Sequence, residues 1–356
     1  MASLMLSGVQ VRKGDDLVLA SVDLSVRDAE IMGVIGASGS GKTTLLRVIA
    51  GLDTAASGDV WFGERRVTAD PPQERNVAMV FQGSVLYPFL TAERNVAFPL
   101  KVRGRPDDEV AVRVQAEGRA LRIDQLFDRK PSELSAGHRQ LVQIAKAMVR
   151  APEVFLLDEP LAMLDAKLRL RMRGELKTVQ RGYGVTTVYV TNDPVEAMAV
   201  ADRIAVVSAG EVVQVAAPEV VYHEPATRQI AELMGEMSFV PVTVESDGHG
   251  FWLTAGGLRV RAWAPDLGRH LGRRVSLGLR PEDIEVDPTA ATAGAASSVE
   301  PHGTHDLVAA HVGDATVRLR TWPGAVRPGD TVGLRFARPV VFDPDTGVAL
   351  VTATRS

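Results

Sequence analysis

A glycine-rich segment near the start of the chain has the residues of a phosphate-binding loop. Gly36-Ala-Ser-Gly-Ser-Gly-Lys42-Thr43 fits G-x-x-x-x-G-K-[ST], with the apolar run IMGVI before it and TLLRVIAG after it. Glycines let backbone N–H groups turn toward an anion, and the N-terminus of the following helix adds its positive end. Lys42 would neutralise the β- and γ-phosphates of a nucleotide, and the Thr43 hydroxyl would bind Mg²⁺. The expected nucleotide-binding residues are Gly36, Ser38, Gly39, Ser40, Gly41, Lys42, Thr43 and Thr44.

Two adjacent carboxylates end another apolar run. Asp158 and Glu159 directly follow residues 154–157 (VFLL). Asp158 is suited to hold Mg²⁺ through water, and Glu159 is placed to polarise a water molecule that attacks a phosphate. A strand that ends in Asp-Glu is common by itself. Together with the glycine-rich loop, it predicts a site for phosphoryl transfer.

Alternating strand and helix patterns must position these residues. Such alternation over the first 235 residues predicts an α/β layer structure. The predicted strands are 18–26, 31–35, 154–157, 186–190 and 204–207, and the predicted helices are 42–50, 166–181 and 194–201.

The character of the sequence changes near Gly235. From Pro241 onward, short β-like segments are broken by Gly, Pro and Asp, which predicts a small all-β barrel. Residues 289–298 (TAATAGAASS) have low complexity and are predicted to form a flexible loop or linker. The region also holds three tryptophans, which we expect in its core, with a ligand-binding aromatic face as the alternative: Trp252, Trp263 and Trp322.

Length and composition narrow the class of protein. The chain has 356 residues, whereas a single core stops growing at about 250–300 residues, so two domains are expected. A content of 46% hydrophobic and 24% charged residues excludes a disordered or fibrous protein. The net charge of −4 argues against a broad nucleic-acid-binding face, and the absence of cysteine excludes disulfides and thiolate metal sites. No run reaches the roughly 18–20 apolar residues of a membrane span, and no signal peptide is evident, so a cytoplasmic location is expected.

The segment Leu134-Ser-Ala-Gly-His138 opens another predicted helix. With this segment, the sequence resembles the ATP-binding subunits of ABC transporters, and more narrowly the maltose- and sugar-type importer ATPases, whose signature reads LSGGQ. Other segments that agree are AMVFQ (78–82), LYP (86–88), LLDEPLAMLDAKLR (156–169), EAMAVADRIAV (196–206), LGLRPEDIEV (277–286) and FDPDTG (342–347).

The resemblance covers essentially the whole chain and implies its architecture. It implies an α/β P-loop ABC ATPase domain at residues 1–235, with an inserted helical subdomain at about 83–150 that docks on a membrane partner. An all-β, OB-like regulatory domain is implied at residues 236–356.

The resemblance also implies roles for individual residues. In this family two ATP-binding domains meet head to tail, and each ATP lies between the phosphate loop of one and the signature of the other. Gln82 would couple the γ-phosphate and metal to the membrane subunits, and Asp165 would lie in the loop that crosses the dimer. The residues implied are Glu159, Asn192 and Gln82 for catalysis, Thr43, Gln82 and Asp158 for the metal, and Ser135, Ala136, Gly137 and His138 for the partner's ATP.

The implied cofactors are ATP and Mg²⁺. The implied partners are two transmembrane permease subunits, an extracytoplasmic solute-binding protein and a second ATP-binding subunit, either identical or different. No nucleic acid is implied, and the protein would lie peripherally on the cytoplasmic side of the cell membrane.

The sequence departs from the family in a segment close to the expected chemistry. The usual T-H-D is Thr191-Asn192-Asp193, and only His138 and His223 precede residue 240 as histidines. Asn192 keeps an amide donor but cannot become a cation, so we expect slower hydrolysis and retained ATP binding.

Two further departures from the family concern the signature segment and the residues expected to contact the adenine base. The signature has Ala136 and His138 in place of Gly and Gln, and His138 is either inert at the helix start or faces the partner's ATP. No aromatic residue precedes Trp61 to stack on adenine, and Arg12 or Lys13 takes that place. This predicts weaker or less base-selective nucleotide binding.

Three functions follow from these patterns. The leading one is the ATP-hydrolysing motor of an importer, with a sugar or polyol as solute. The alternative is a nucleotide-binding but weakly hydrolysing regulatory subunit, paired with a regular ATPase paralogue. A soluble ABC ATPase acting on nucleic acid is disfavoured by the negative charge and by the absence of tandem ATPase domains or a long coiled coil.

Overall fold

A computed structural model describes residues 2–83, 85–262 and 264–351 of the chain. The chain divides into two compact units, with the division after Pro218. Each unit has an extensive hydrophobic core cluster of its own, as the length of the chain predicts.

The first unit is built on one mixed sheet. Its strands are β1 (Leu4–Lys13), β2 (Asp16–Val26), β3 (Ile31–Ile35), β4 (Ser57–Phe62), β5 (Arg65–Arg66), β6 (Val77–Val80), β7 (Val154–Asp158), β8 (Thr186–Val190), β9 (Arg203–Ser208) and β10 (Glu211–Ala216). Their order is β5-β4-β1-β2-β10-β9-β3-β8-β7-β6.

Four neighbouring strands of this sheet, β3, β8, β7 and β6, are parallel. All residues of β3, β7 and β8 are buried, which explains their continuous apolar runs because a parallel sheet is covered on both faces. Register pairs Val34 with Val190 and Val190 with Asp158, so the carboxyl ends of three strands lie side by side.

The helices of the first unit follow the predicted pattern. They are α1 (Lys42–Ile49), α2 (Ala92–Val102), α3 (Asp107–Ala120), α4 (Ala136–Met148), α5 (Ala166–Tyr183) and α6 (Pro194–Val200), with 3₁₀ turns at Asp124–Leu126 and Pro131–Glu133. The strands and helices predicted from periodicity in this unit are confirmed to within two residues at each end.

The second unit combines two short helices with two antiparallel sheets. Helix α7 (Pro218–His223) lies at the division between the units, and α8 (Arg228–Met234) follows it. The strands are β11 (Ser238–Ser246), β12 (Phe251–Ala255), β13 (Leu258–Ala262), β14 (Arg274–Leu279), β15 (Ile284–Val286), β16 (Thr292–Pro301), β17 (Asp306–Val312), β18 (Ala315–Thr321), β19 (Thr331–Phe336), β20 (Val340–Phe342) and β21 (Ala349–Val351), with 3₁₀ turns at Pro265–His270 and Pro281–Asp283. One sheet has the order β13-β12-β11-β14-β20-β21 and the other β15-β19-β16-β17-β18.

The low-complexity stretch at residues 289–298 does not form the predicted loop or linker. Most of it belongs to β16, which pairs with β19 on one side and β17 on the other. Alternate residues are buried, and Gly294 leaves little room for a side chain because an added Cβ would lie 3.0 Å from Val312 Cγ2. The stretch is therefore a central strand of small residues, selected by close packing.

The division between the units falls earlier than the change of composition near Gly235. Ala231 of α8 packs with Val340 and Phe342 of β20. The buried Arg280 donates hydrogen bonds to the carbonyls of Tyr222 and Ala231. These contacts place α8 in the second compact unit.

The tryptophans of the second unit are not all in its core. Trp322 is 81% exposed, so the core prediction is wrong for this residue. Trp252 is half-buried, with the Arg259 guanidinium 4.1 Å above its ring and a 2.7 Å hydrogen bond from Nε1 to Asp247. Trp263 lies outside the described residues.

Among residues 2–83, 85–262 and 264–351, no helix combines the length and apolar character needed to cross a membrane.

Candidate functional site

The predicted site residues meet at the carboxyl ends of four adjacent parallel strands. The phosphate loop (residues 36–43) follows β3, Asp158 ends β7, the switch segment (residues 191–193) follows β8, and Gln82 follows β6. Thr191 N–H donates to the Val34 carbonyl at 3.2 Å, and Glu159 N–H donates to the Val190 carbonyl at 2.9 Å. Ligands of α/β sheets bind at this edge, so the topology brings together residues that are far apart in sequence.

The phosphate loop has a backbone that requires glycine at two positions. A Cβ on Gly36 would lie 2.1 Å from the Val207 carbonyl oxygen, and Gly41 has φ +106° beside the Val18 carbonyl. These positions fix a tight turn into α1, whose first residue is Lys42. The helix N-terminus and the exposed loop residues Ser38 and Gly39 lie where the motif predicts a cradle for an anion.

Lys42 is held at the centre of this cradle. Its Nζ donates to the carbonyls of Gly36 and Ala37, both at 2.9 Å. Burial lowers the pKa of Lys42, whereas the nearby Glu159 and Asp158 act in the opposite direction. Ser40 Oγ is buried without a hydrogen-bond partner among the described residues. A phosphate oxygen could accept hydrogen bonds from both the Lys42 ammonium and the Ser40 hydroxyl.

Thr43 and Asp158, the two residues expected to hold a metal with Gln82, lie side by side next to the phosphate loop. Thr43 Oγ1 donates to Asp158 Oδ1 at 3.4 Å. Burial raises the pKa of Asp158, and the hydrogen bond from Thr43 opposes that shift. No group of three His, Asp or Glu side chains able to hold a metal occurs in the described part of the chain. The set of one hydroxyl and one carboxylate fits Mg²⁺, which keeps several waters and takes substrate phosphates as ligands.

Glu159 lies between two amide side chains. Gln82 Nε2 donates to Glu159 Oε2 at 3.0 Å, and Asn192 Nδ2 donates to Glu159 Oε1. Glu159 also has φ +45°, an uncommon backbone conformation for a residue with a side chain. The structure thus brings together the three residues that were expected to act in catalysis.

The residue after Asn192 makes contacts that the sequence motifs do not predict. The next residue, Asp193, accepts from the backbone N–H groups of Val195 and Glu196 and caps α6. Its carboxylate also receives Arg173 Nη2 at 2.8 Å, and Arg169 Nη1 lies 3.9 Å away. The run 169–173 would ordinarily be taken as a solvated face, but the side chain of Arg173 is only 14% exposed. The i, i+4 spacing of the two arginines, which puts them on one side of α5, was the available signal.

The loop that carries Gln82 is held by the helix that follows the signature. Gln143 of α4 is 5% exposed, and its Nε2 donates to the carbonyls of Phe81 and Gly83 at 3.4 and 3.3 Å. Lys146, one turn later, donates to the Val85 carbonyl at 2.8 Å. These positioning contacts were also missed, because they join segments about 60 residues apart.

The signature segment (residues 134–138) lies apart from the phosphate loop, at the start of α4. Ser135 caps this helix, with Oγ accepting from the His138 N–H at 3.3 Å. Gly137 is buried against Leu168, and His138 is exposed beside a cavity of about 640 Å³ between α4 and α5. Asp165 caps α5 by accepting from the Leu168 N–H at 2.9 Å.

The residues at the expected adenine position have partners of their own. Lys13 Nζ lies 3.4 Å from Asp53, which also receives two nitrogens of Arg47. Arg12 donates to the Asp15 carbonyl at 3.3 Å. A base bound here would meet the charged ends of these side chains instead of an aromatic ring.

Two family models match the chain. The ABC transporter model matches residues 19–162, and the MalK OB fold domain model matches residues 236–284. The second match begins where the composition of the sequence changes. The predicted fold class, an ABC ATPase domain followed by an OB-like all-β domain, is confirmed.

Relatives similar over the full length are import proteins. The chain is 41% identical to the trehalose/maltose import ATP-binding protein of Thermococcus litoralis, over 98% of this chain and 100% of that protein. It is 39% identical to the sn-glycerol-3-phosphate import ATP-binding protein of Burkholderia cenocepacia, over 98% and 99%.

A solved structure matches part of the chain. An ATP-binding cassette, a dimer in a post-hydrolysis state bound to ADP and Pi, aligns with a TM-score of 0.54 and 29% identity, over 60% of this chain and 98% of that one. Together with the full-length relatives, this match means that the chain belongs to the ABC transporter family, as an ATP-binding subunit of the import type.

Proposed function

We propose that the chain binds ATP with Mg²⁺ at the carboxyl edge of its first sheet, hydrolyses it, and drives the import of a sugar or polyol-type solute. The observation that carries this proposal is the meeting of Lys42, Thr43, Asp158 and Glu159 at the ends of adjacent strands. The named activities of the full-length relatives, trehalose/maltose and sn-glycerol-3-phosphate import, support the class of solute.

Different side chains of the site have different roles in hydrolysis. The phosphate loop and Lys42 bind and orient the β- and γ-phosphates, and Ser40 Oγ gains an acceptor there. Thr43, Asp158 and the oxygen of Gln82 would hold Mg²⁺, which supplies neutralisation of charge that develops on the phosphates. Glu159 polarises the attacking water, and Asn192 fixes the carboxylate that does so.

The implied assembly is a dimer on the cytoplasmic face of a membrane. The dimeric state of the solved ATP-binding cassette supports contact between two ATP-binding subunits. In it, Ser135, Ala136, Gly137 and His138 of one subunit would meet the ATP of the other, with Asp165 nearby. Two permease subunits and an extracytoplasmic solute-binding protein complete the proposed importer.

Substitution of Glu159 tests the hydrolytic role. Glu159→Gln keeps the size of the side chain but removes its basicity. We expect ATP turnover to fall by roughly 10²–10⁴-fold, with the Kd for ATP changed little. The measurement is steady-state phosphate release beside equilibrium ATP binding. A variant with the turnover of the unaltered protein would contradict the assignment of Glu159.

A second candidate is the weakly hydrolysing regulatory subunit. It is favoured by Asn192, which contacts Glu159 where the family has a histidine, and by the altered signature residues Ala136 and His138. In a heterodimer with a regular paralogue, each ATP site would contain only one of these two departures.

The exchange Asn192→His distinguishes the two candidates. If Asn192 limits hydrolysis, the histidine variant should turn over ATP at least several-fold faster at unchanged ATP affinity. His138→Gln serves as the companion variant for the signature. Equal turnover by the unaltered protein and Asn192→His would show that asparagine supports full activity and would remove the case for a slow subunit.

A further inference from the structure

An exposed tryptophan in the second unit is held in a defined position. Trp322 is 81% exposed, although large aromatic side chains usually bury most of their surface. Its carbonyl accepts from the Ala325 N–H at 3.1 Å, and Gly324 within this turn has φ +72°. Gly324 N–H donates to Asp306 Oδ2 at 2.7 Å, and Asp306 is buried. The turn therefore presents the indole to solvent on a fixed backbone.

A groove of about 550 Å³, called here the Trp322 groove, adjoins this indole. Its volume lies within the range of about 300–1,000 Å³ typical of small-molecule sites. The floor is apolar, from Ile284, Val286 and Val326, and the polar lining includes His305 and Arg320. His305 directly precedes Asp306, whose carboxylate accepts from Gly324 in the turn after Trp322. This hydrogen bond therefore joins that turn to the start of β17, beside His305.

Two polar atoms of the lining residues lack a hydrogen-bond partner among the described residues. They are Thr321 Oγ1 and Glu282 Oε2, and both are buried. The other carboxylate oxygen of Glu282 receives the Tyr222 hydroxyl, and Arg320 Nη2 lies 3.7 Å from Oε2, beyond hydrogen-bond distance. Water or a ligand in the groove could supply the missing hydrogen bonds.

Each carboxylate of the lining has an arginine beside it. Glu282 lies beside Arg320, and Glu285 pairs with Arg335 at 2.6 Å. A charged ligand would therefore gain no uncompensated partner. The indole face suits the C–H groups on one face of a pyranose ring, and a hydroxyl group can both donate to a carboxylate oxygen and accept from a guanidinium.

We propose that the Trp322 groove binds a neutral, polyhydroxylated small molecule, a sugar or polyol, which stacks on Trp322 and forms hydrogen bonds with Glu282, Arg320 and Thr321. The site is distinct in chemistry from the ATP site, and its occupation does not depend on ATP hydrolysis.

Calorimetric titration of the full chain tests this proposal. Trehalose and maltose are the neutral probes, and sodium phosphate is the anionic comparison. We expect saturable binding of at least one disaccharide. Trp322→Ala should weaken that binding tenfold or more, and Thr321→Val, which keeps the shape but removes the hydroxyl, should weaken it about threefold, or ~0.7 kcal/mol. Trp252→Phe, in the same unit but outside the groove, should bind as the unaltered protein does.

Several outcomes would overturn the proposal. The first is that neither disaccharide shows saturable binding. The second is that Trp322→Ala binds the disaccharide as tightly as the unaltered protein does. The third is that phosphate binds and needs Trp322 to do so. If the unaltered chain binds no sugar and Trp322→Ala has a lower oligomeric mass, the surface around Trp322 would instead be a contact with a second copy of the chain.

Thermal unfolding of Trp322→Ala should match that of the unaltered protein because the side chain is exposed. Glu159→Gln should bind the disaccharide normally, which separates this proposal from that of ATP hydrolysis.

Discussion

At the scale of single residues, the site depends on how the switch segment is anchored. Asn192 donates to Glu159, and the neighbouring Asp193 is held from two directions. Its carboxylate caps α6 and also pairs with Arg173. Arg173 does not contact Glu159 in this arrangement, so it is a positioning residue.

Arg173→Gln should therefore lower ATP turnover with little effect on ATP affinity. The expected fall is roughly tenfold, equal to ~1.4 kcal/mol in the barrier, because Asn192 loses its fixed neighbour. Arg171→Gln is the matched control, since Arg171 lies on the same helix with its side chain 76% exposed. Separate measurements of kcat and of the Kd for ATP distinguish the positioning role from misfolding. An equal effect of both substitutions on kcat would contradict it.

At the scale of elements, α3 of the inserted helical segment is joined to α5 by one polar contact. The Tyr183 hydroxyl of α5 donates to Glu117 of α3. Burial raises the pKa of Glu117 above its ordinary value of 4.5, and the hydrogen bond from Tyr183 only partly opposes this. The ionised form of Glu117 is thus less favourable in the folded protein than in the unfolded chain.

This shift predicts a pH dependence of stability with a definite sign. The folded state holds the Glu117 proton to higher pH than the unfolded chain does. The contribution of Glu117 to the free energy of unfolding is therefore fully present below pH 4.5 and is lost as the pH rises through the folded pKa. Urea unfolding across this pH range, compared with Glu117→Gln, should show the variant gaining stability relative to the unaltered protein as the pH rises. Parallel curves for the two proteins would contradict the prediction.

The elements also show what sequence patterns can and cannot predict. Strands β3, β7 and β8 were predictable because buried parallel strands are continuous apolar runs. The phosphate loop was predictable because its residues are contiguous. Strand β16 was missed because Ala, Gly and Ser have little strand preference, and its pairing with β17 and β19 decides its structure. The Arg173–Asp193 pair was missed because its members are 20 residues apart and on different elements.

At the scale of the whole molecule, the proposed function requires two chains. The signature segment and the phosphate loop of one chain occupy separate places in the first unit, as expected if each completes a site in a partner. The question that follows is whether the second chain is identical.

The mass of the Glu159→Gln variant with ATP and Mg²⁺ addresses this question. If two copies close around ATP, light scattering should give twice the mass of one chain, because ATP binding is retained and hydrolysis cannot reopen the dimer. Lys42→Ala, which removes the phosphate-binding cation, should remain at the mass of one chain. A monomer in Glu159→Gln with bound ATP would count against the homodimer and favour a different second subunit.

The contact between Gly137 and Leu168 links the signature segment to the first turn of α5. A Cβ on Gly137 would lie 2.9 Å from Leu168 Cδ2, and Leu168 gives its N–H to Asp165. Ala136, by contrast, is half-exposed at the helix start. Any side chain at position 137 therefore requires the half-exposed Leu168 side chain to shift, whereas a Cβ is already accommodated at position 136, so a saturation library should accept larger residues more readily at 136 than at 137.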